Sequence, residues 1–308
     1  MKKLLKKFFA TCFLSLFAWS FGITPLIDVH ANDPLKDVDQ NYSIENKTVD
    51  DILYDTISEF GYNSDQISIA FYDFIDDTHY TLNSDITMLG ASTTKVATAA
   101  LYTSLINEGY LSFDTPIPFV EAMFEEGGGN ITNSPIQPSY ALQDLIYEML
   151  INSDNTAWNL LTHYYFNYIG NHQNDMLMLS GADIYDPELY QFNHVNAEVL
   201  EGILIAIASS DYYSNVVDTM LAAQPHWLLK YYLNDNMAVK YGYLDEYFHD
   251  TGIYFDENGE PLYTLVVMTD SIGLDYDGMQ NEFFGLINLR LNRWFEAQHE
   301  SNSISKTL

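Results

Sequence analysis

One cysteine, Cys12, is all that the 308 residues contain. That excludes an internal disulfide and a thiolate metal centre, and it leaves no thiol nucleophile if the leading stretch is removed. Basic residues are nearly as scarce: 12 Lys and Arg face 43 Asp and Glu, a net charge of −31. A surface of that sign repels nucleic acid and anionic lipid. Solubility or adaptation to salt accounts for most of the acids. The eight histidines show no metal-ligand spacing, and no G-x-S-x-G elbow is present to seat a Ser-His-Asp triad. Internal repeats and low-complexity tracts are lacking too. Apolar residues are plentiful, at 47% of the chain with 15% aromatic, enough for one large domain or two interleaved subdomains.

The start of the chain reads as a targeting segment. Lys2, Lys3, Lys6 and Lys7 precede an apolar run from Phe8 to Ile27, and Val29-His30-Ala31 offers small residues for cleavage. We therefore expect residues 1–31 to be a signal peptide and the protein to be secreted to the cell envelope or beyond. An uncut leader is nearly long enough to act as an N-terminal membrane anchor. Cys12 sits too early in it for lipid attachment. Removing residues 1–31 takes away four lysines and one aspartate, leaving 8 basic and 42 acidic residues and a charge of −34. Against so few cations, a lysine in an apolar setting stands out.

Residues 32–47 are polar and turn-rich and are expected to be a linker, residues 48–300 the folded domain, and residues 301–308 a tail. Val49 to Phe60 places Ile52, Leu53, Ile57 and Phe60 on one helical stripe. Ile67 to Tyr72 and Tyr80 to Leu82 read as two strands joined at Asp76-Asp77. Tyr140 to Leu150, a segment from Trp158, Asn171 to Met178 and Asn196 to Ser209 have helical spacing, with Ala182 to Asn193 irregular between the last two. Met237 to Tyr243 is a strand; Gly252 to Phe255 and Tyr263 to Met268 form a hairpin around Asn258-Gly259. Glu282 to Glu296 closes the chain as a helix. Gly127-Gly128-Gly129 is a loop without the strand-helix context of a phosphate cradle. Asp275-Tyr276-Asp277-Gly278 lacks most calcium ligands and reads as a turn. Three sequons, at Asn41, Asn46 and Asn130, mean little in a bacterium-like source.

One phrase carries chemistry. Ser92-Thr93-Thr94-Lys95 opens the run Val96 to Leu101, which has the spacing of a buried helix. With Ser92 in its first turn, Lys95 lies one turn on, beside the hydroxyl. A lysine whose pKa burial lowers can take the proton of such a serine without any histidine. Alone, the pattern equally describes a capping serine and a snorkelling lysine. Ser153-Asp154-Asn155, ahead of a helix, equally describes an N-cap.

Together, Ser92-Thr93-Thr94-Lys95, Ser153-Asp154-Asn155 and Lys240-Tyr241-Gly242 occur in one order. This resembles the penicillin-recognising serine hydrolases, most closely the class A β-lactamase group with its S-x-x-K, S-D-N and K-T-G signatures. The likeness extends to the Gly-x-Leu-x-x-Asp loop at Gly109 to Asp114. The resemblance implies an α+β fold: an antiparallel sheet from both chain ends (about 48–90 and 226–300) with flanking helices, plus an all-helical part (about 91–225). It implies Ser92 as nucleophile, Lys95 as base or proton relay, Ser153 as proton donor to the leaving nitrogen and Asn155 as holder of Lys95 and substrate. Lys240 would attract a substrate carboxylate, and the backbone N–H groups of Ser92 and Tyr243 would form the oxyanion hole. No metal or cofactor is implied, and a monomer acting on a small-molecule or peptidoglycan-derived amide is expected.

Two departures bear on turnover. Tyr241 stands where the family has a small hydroxyl residue beside Gly242, in contact with the β-lactam carboxylate. The family's Glu-Pro-Glu-Leu-Asn loop, whose glutamate activates the deacylating water, is matched by Asp186-Pro187-Glu188-Leu189-Tyr190, which makes Asp186 or Glu188 the candidate base. The alternatives are a truncated loop and a D,D-peptidase or esterase, or a non-catalytic cell-wall-binding protein on the same fold.

Overall fold

The computed structural model describes residue 35 and residues 37–273 and 279–305. The leader with Cys12, the Asp275 to Gly278 turn and the last three tail residues lie outside the described residues. The elements run in order: α1 Val49–Glu59, β1 Ile67–Asp73, β2 Thr78–Leu82, β3 Met88–Leu89, α2 Lys95–Asn107, β4 Pro116–Pro118, α3 Asn130–Asn133, β5 Ser139–Ala141, α4 Leu142–Ile151, α5 Asn155–Tyr168, α6 His172–Ser180, β6 His194–Val195, α7 Ala197–Ala208, α8 Ser214–Ala222, β7 Met237–Leu244, β8 Tyr247–Phe255, β9 Pro261–Asp270 and α9 Met279–Ser305.

Five strands form one sheet in the order β2-β1-β9-β8-β7, every neighbouring pair antiparallel. The N-terminal hairpin thus joins the C-terminal strands through β1 and β9, the α+β arrangement that the resemblance implied. Period-2 alternation assigns each face. Ile67, Ile69, Phe71, Met237, Val239, Leu265 and Val267 face a core shared with α1 and α9. Ala70, Ala238, Val266 and Met268 face the other way, into a core with α2, α4, α5 and α7. Each fully buried Ile, Leu or Phe contributes roughly 1.5–3 kcal/mol relative to exposure. Lys240 has the parity of Ala238, so its side chain enters the helical side; Tyr241 has the parity of Val239 and packs with the opposite core.

Helix α2 threads that helical side, with every residue from Lys95 to Thr103 buried. A helix buried all round is a central one. Ser92 itself is not in it. Ala91 adopts the left-handed conformation (φ 48°), so Ala91 to Thr94 form a tight turn and the helix begins at Lys95. Thr94 makes no helix cap; its hydroxyl goes instead to Asn193 Oδ1 at 2.7 Å.

Other expectations shift at their edges. The closing helix and β8 are longer than their patterns, and α8, α3 and the pairs β3–β6 and β4–β5 had no legible pattern. The segment read as a linker is docked from Tyr42 onward: Tyr42 and Ile44 pack on the core, and Lys47 O accepts Trp294 Nε1–H at 3.1 Å. The β8–β9 turn is as expected, with Gly259 at φ +85° and Asp256 Oδ1 accepting the N–H groups of Asn258 and Glu260. His299, far in sequence, bonds Asp73 Oδ2 at 2.7 Å, while Asp73 Oδ1 accepts the N–H groups of Ile75 and Asp76 in the β1–β2 turn. No described helix is long and apolar enough to cross a membrane.

Candidate active site

Three chain segments meet between the sheet and α2. The Ala91–Thr94 turn leads into α2, Ser153 sits in the bend between α4 and α5, and Lys240 projects from β7. Ser153, like Ala91, has a left-handed backbone (φ 55°), a strain of roughly 1–3 kcal/mol that marks sites held by their surroundings. Asp154 is the N-cap of α5, accepting Ala157 N–H at 3.0 Å. The capping reading of Ser153-Asp154-Asn155 is met by Asp154, while Ser153 and Asn155 on either side of it both accept from Lys95 Nζ.

A ladder of hydrogen bonds crosses the cleft. Lys240 Nζ donates to Ser153 Oγ at 3.1 Å and to Tyr241 O at 2.9 Å. Lys95 Nζ donates to Ser153 Oγ at 3.3 Å, Ser153 O at 2.8 Å and Asn155 Oδ1 at 2.7 Å. Asn155 Nδ2 donates to Glu125 Oε1 at 2.7 Å. Among the described residues no hydrogen bond joins Lys95 Nζ to Ser92 Oγ, so the one-turn spacing read from the sequence brings the two onto one wall without bonding them.

Both lysines are fully buried. Burial pulls Lys95 down to about 7, against the opposing charges of Asp154 and Glu125. Lys240 is held well below its ordinary value, by burial first and by the neighbouring Lys95 second. Behind Lys240, the buried Asp250 of β8 is pushed up to about 7 by desolvation, although it accepts from Leu229 N–H and Thr251 N–H and feels Lys240. Gln224 bridges it to the site strand, donating to Asp250 Oδ2 at 3.4 Å and accepting Tyr241 N–H at 2.7 Å.

Gly242 fits where no side chain could: a Cβ there would lie 2.9 Å from Gly90 O and from Ser92 N. Strand β7 therefore presses on the Ala91–Thr94 turn, close to Ser92 N–H. Tyr241 turns its ring edge-on to Trp227 (4.7 Å between centroids), with Lys240 Nζ 4.2 Å from the ring centroid. Burial raises its phenol, and a bond with the Ser153 side chain offsets part of the rise.

Asp186 and Glu188 lie elsewhere. With Asp85, Ser180 and Glu198 they line a pocket of about 630 Å³ that does not include Ser92, Lys95 or Ser153. Trp158 lies 5.7 Å from Lys95 Nζ, and Phe192 stacks on Trp158 at 5.3 Å. Glu125 carried no legible signal; its partners Asn155 and Asn159 lie 30 and 34 residues away. The triple glycine beside it packs its loop down: at Gly129 (φ +90°) a Cβ would sit 2.2 Å from Asp154 Oδ2.

A buried amine near neutrality, a hydroxyl shared by two lysines and a serine-bearing turn pressed against a strand suit acyl transfer. A family profile described as "Beta-lactamase enzyme family" matches residues 50–295. The chain belongs to the beta-lactamase enzyme family. Solved structures share its fold. PBP-A is 17% identical, with 80% of this chain and 96% of that one covered and a TM-score of 0.66; a mutant of PBP-A is known as an acyl-enzyme with penicillin G. The ancestral (GNCA) class A β-lactamase is 17% identical over 80% of this chain and 99% of its own, TM-score 0.66. The β-lactamase of Sphaerobacter thermophilus is 17% identical over 81% and 96%, TM-score 0.65. No curated protein matches the chain. This beta-lactamase family member is thus a serine hydrolase by fold and family.

Proposed function

We propose that this family member is an exported monomeric acyl hydrolase that opens a β-lactam, or a related peptidoglycan-derived amide, through an acyl-Ser92 intermediate, without metal or cofactor. The observation that carries the reading is Lys95, stripped of water and held near neutrality in the same ladder as Ser153 and Lys240. Neutral Lys95 takes the Ser92 proton as Oγ bonds to the carbonyl carbon. The oxyanion forms against the N–H groups of Ser92 and Tyr243. Ser153 then gives its proton to the leaving nitrogen as the C–N bond breaks, and Lys95 restores that proton through Ser153 Oγ. Lys240 supplies attraction for a substrate carboxylate.

A second reading, a D,D-peptidase or esterase that releases its acyl group slowly, is favoured by the position of Asp186 and Glu188 in a separate pocket and by the apolar Trp158–Phe192 stack beside Lys95. Incubation with a fluorescent penicillin followed by intact mass tests both. A Ser92 adduct that persists supports slow release; rapid turnover supports a β-lactamase. A wild-type protein that forms no adduct and turns over nothing, or a Ser92→Ala variant that still does either, would remove the proposal. A chain silent in every such assay would point to the non-catalytic binding protein.

A further inference from the structure

Away from Ser92, we infer a second binding site, for a linear alkyl polyamine, in a groove between the end of α6, one face of α7 and strand β2. Two pockets run together there. One, of about 560 Å³, is lined by His79, Glu198 and Glu201 and by the apolar Met178, Leu179 and Ile205. The other is the pocket of Asp186 and Glu188, which adds Asp85 and Asp183. Ser180, Gly181 and Glu198 belong to both and join them into one groove. No described lysine or arginine lines it, and Ser92 and Ser153 lie outside it.

Glu201 separates this groove from an ordinary charged surface. Its side chain is only 5% exposed. Oε2 bonds His79 Nδ1 at 2.7 Å, whereas Oε1 has no hydrogen-bond partner among the described residues. A buried carboxylate oxygen left unpaired costs stability that a bound cation would return. Burial raises the carboxyl, against the bond from His79, and an ammonium beside it would favour the charged form. At Gly202 a Cβ would sit 2.2 Å from Ser180 O. The C-terminal end of α6, the negative end of its dipole, therefore rests on α7 at the groove.

The walls decide the class of cation. No three of the carboxylate and imidazole donors here gather within 4.8 Å of one another, as a directly held metal ion would require. Met178, Leu179 and Ile205 offer methylene groups a surface that a hydrated ion cannot use. Carboxylates in both pockets match positive charges spaced along a chain.

Isothermal titration of the full chain with spermidine tests the inference, with magnesium chloride as competitor and Glu201→Gln and Glu198→Gln as variants. Asp218→Asn, in a separate acidic pocket, removes the same charge elsewhere. We expect one saturable spermidine site whose affinity falls as salt rises. Either glutamine variant should weaken it about tenfold, and Asp218→Asn should leave it within about twofold. Glu198 is exposed, so its variant keeps the test intact if circular dichroism shows Glu201→Gln misfolded. Binding that does not saturate, or equal losses in all the folded variants, would reduce the groove to diffuse charge and overturn the inference. Displacement of spermidine by equimolar magnesium would overturn it too, since the alkyl chain would then add nothing. None of these outcomes bears on the acyl-Ser92 reading, which is tested separately by the penicillin adduct.

Discussion

Varying pH across neutrality, with Lys95→Met as the control, puts the central claim at risk in two independent ways. If the neutral amine is the base, acylation follows its unprotonated fraction: half at about pH 7, about a tenth at pH 6 and about a hundredth at pH 5. The same shift sets stability. In the unfolded chain the amine keeps its proton up to 10.5, whereas in the fold it gives it up from about 7. Between those values the unfolded chain binds more protons, so stability rises with pH; at and below about 7 the full penalty of burying the charge applies. Three and a half pH units at 1.36 kcal/mol each amount to about 5 kcal/mol. Lys95→Met gives up three hydrogen bonds, about 1 kcal/mol apiece, and loses the penalty. It should therefore be about 2 kcal/mol more stable than wild type at pH 7 and about 3 kcal/mol less stable at pH 10.5, a crossing visible in Tm at about 2 °C per kcal/mol. Stopped-flow acylation and thermal melts at matched pH give both curves. An acylation profile flat from pH 5 to 9, or a stability difference that does not change over pH 7 to 10.5, would refute the assignment of Lys95.

Gly242→Ala should lower acylation by about a hundredfold with the far-ultraviolet spectrum unchanged, since its Cβ would push against Ser92 N and Gly90 O; an unaffected rate would mean that the strand and the turn do not share the oxyanion. Gly129→Ala should cost 2 kcal/mol or more, roughly, because its Cβ collides with Asp154, whereas Gly181→Ala, with equally positive φ but open space, should cost about 1 kcal/mol; equal melting points for the two would contradict the packing. Asp250 should titrate in the folded protein at about 7, with carbon-13 resonances as the readout. Its folded value lies above its unfolded value, so its contribution to stability fades as pH climbs from about 4 to about 7. A midpoint below 5 would place a full positive charge on Lys240.

Much of the sheet was legible because its strands are short runs rich in apolar, β-branched and aromatic residues bounded by turn signals, and β1, β7 and β9 divide their residues between two cores as parity requires. The ends of α2 were less legible. Helical spacing carries Ser92 into the helix on paper, but a left-handed Ala91 and a Thr94 hydroxyl engaged by Asn193 postpone its start to Lys95, and no local pattern encodes a partner 99 residues away. Glu125 was hidden for the same reason, since an acidic residue on an acidic chain looks like solvent exposure until two asparagines from another element bind it. Asp250 and Gln224 gain meaning only through register, Asp250 lying opposite Tyr241 in the β7–β8 pair. The three glycines were legible as a loop, but the need for glycine at 129 comes from Asp154, which closes on it only in the folded chain. Asp186 and Glu188 matched a phrase, and in the fold they line a pocket with Asp85 and Glu198.

An alcohol oxygen has two acceptor positions and a single hydrogen. At Ser153 both acceptor positions are taken by amines that approach from different segments. The hydrogen is then barred from pointing at either one, and its direction is set before any ligand arrives. The two amines aim the hydroxyl by donating to its oxygen, and each donated bond weakens the oxygen's hold on the proton it must release.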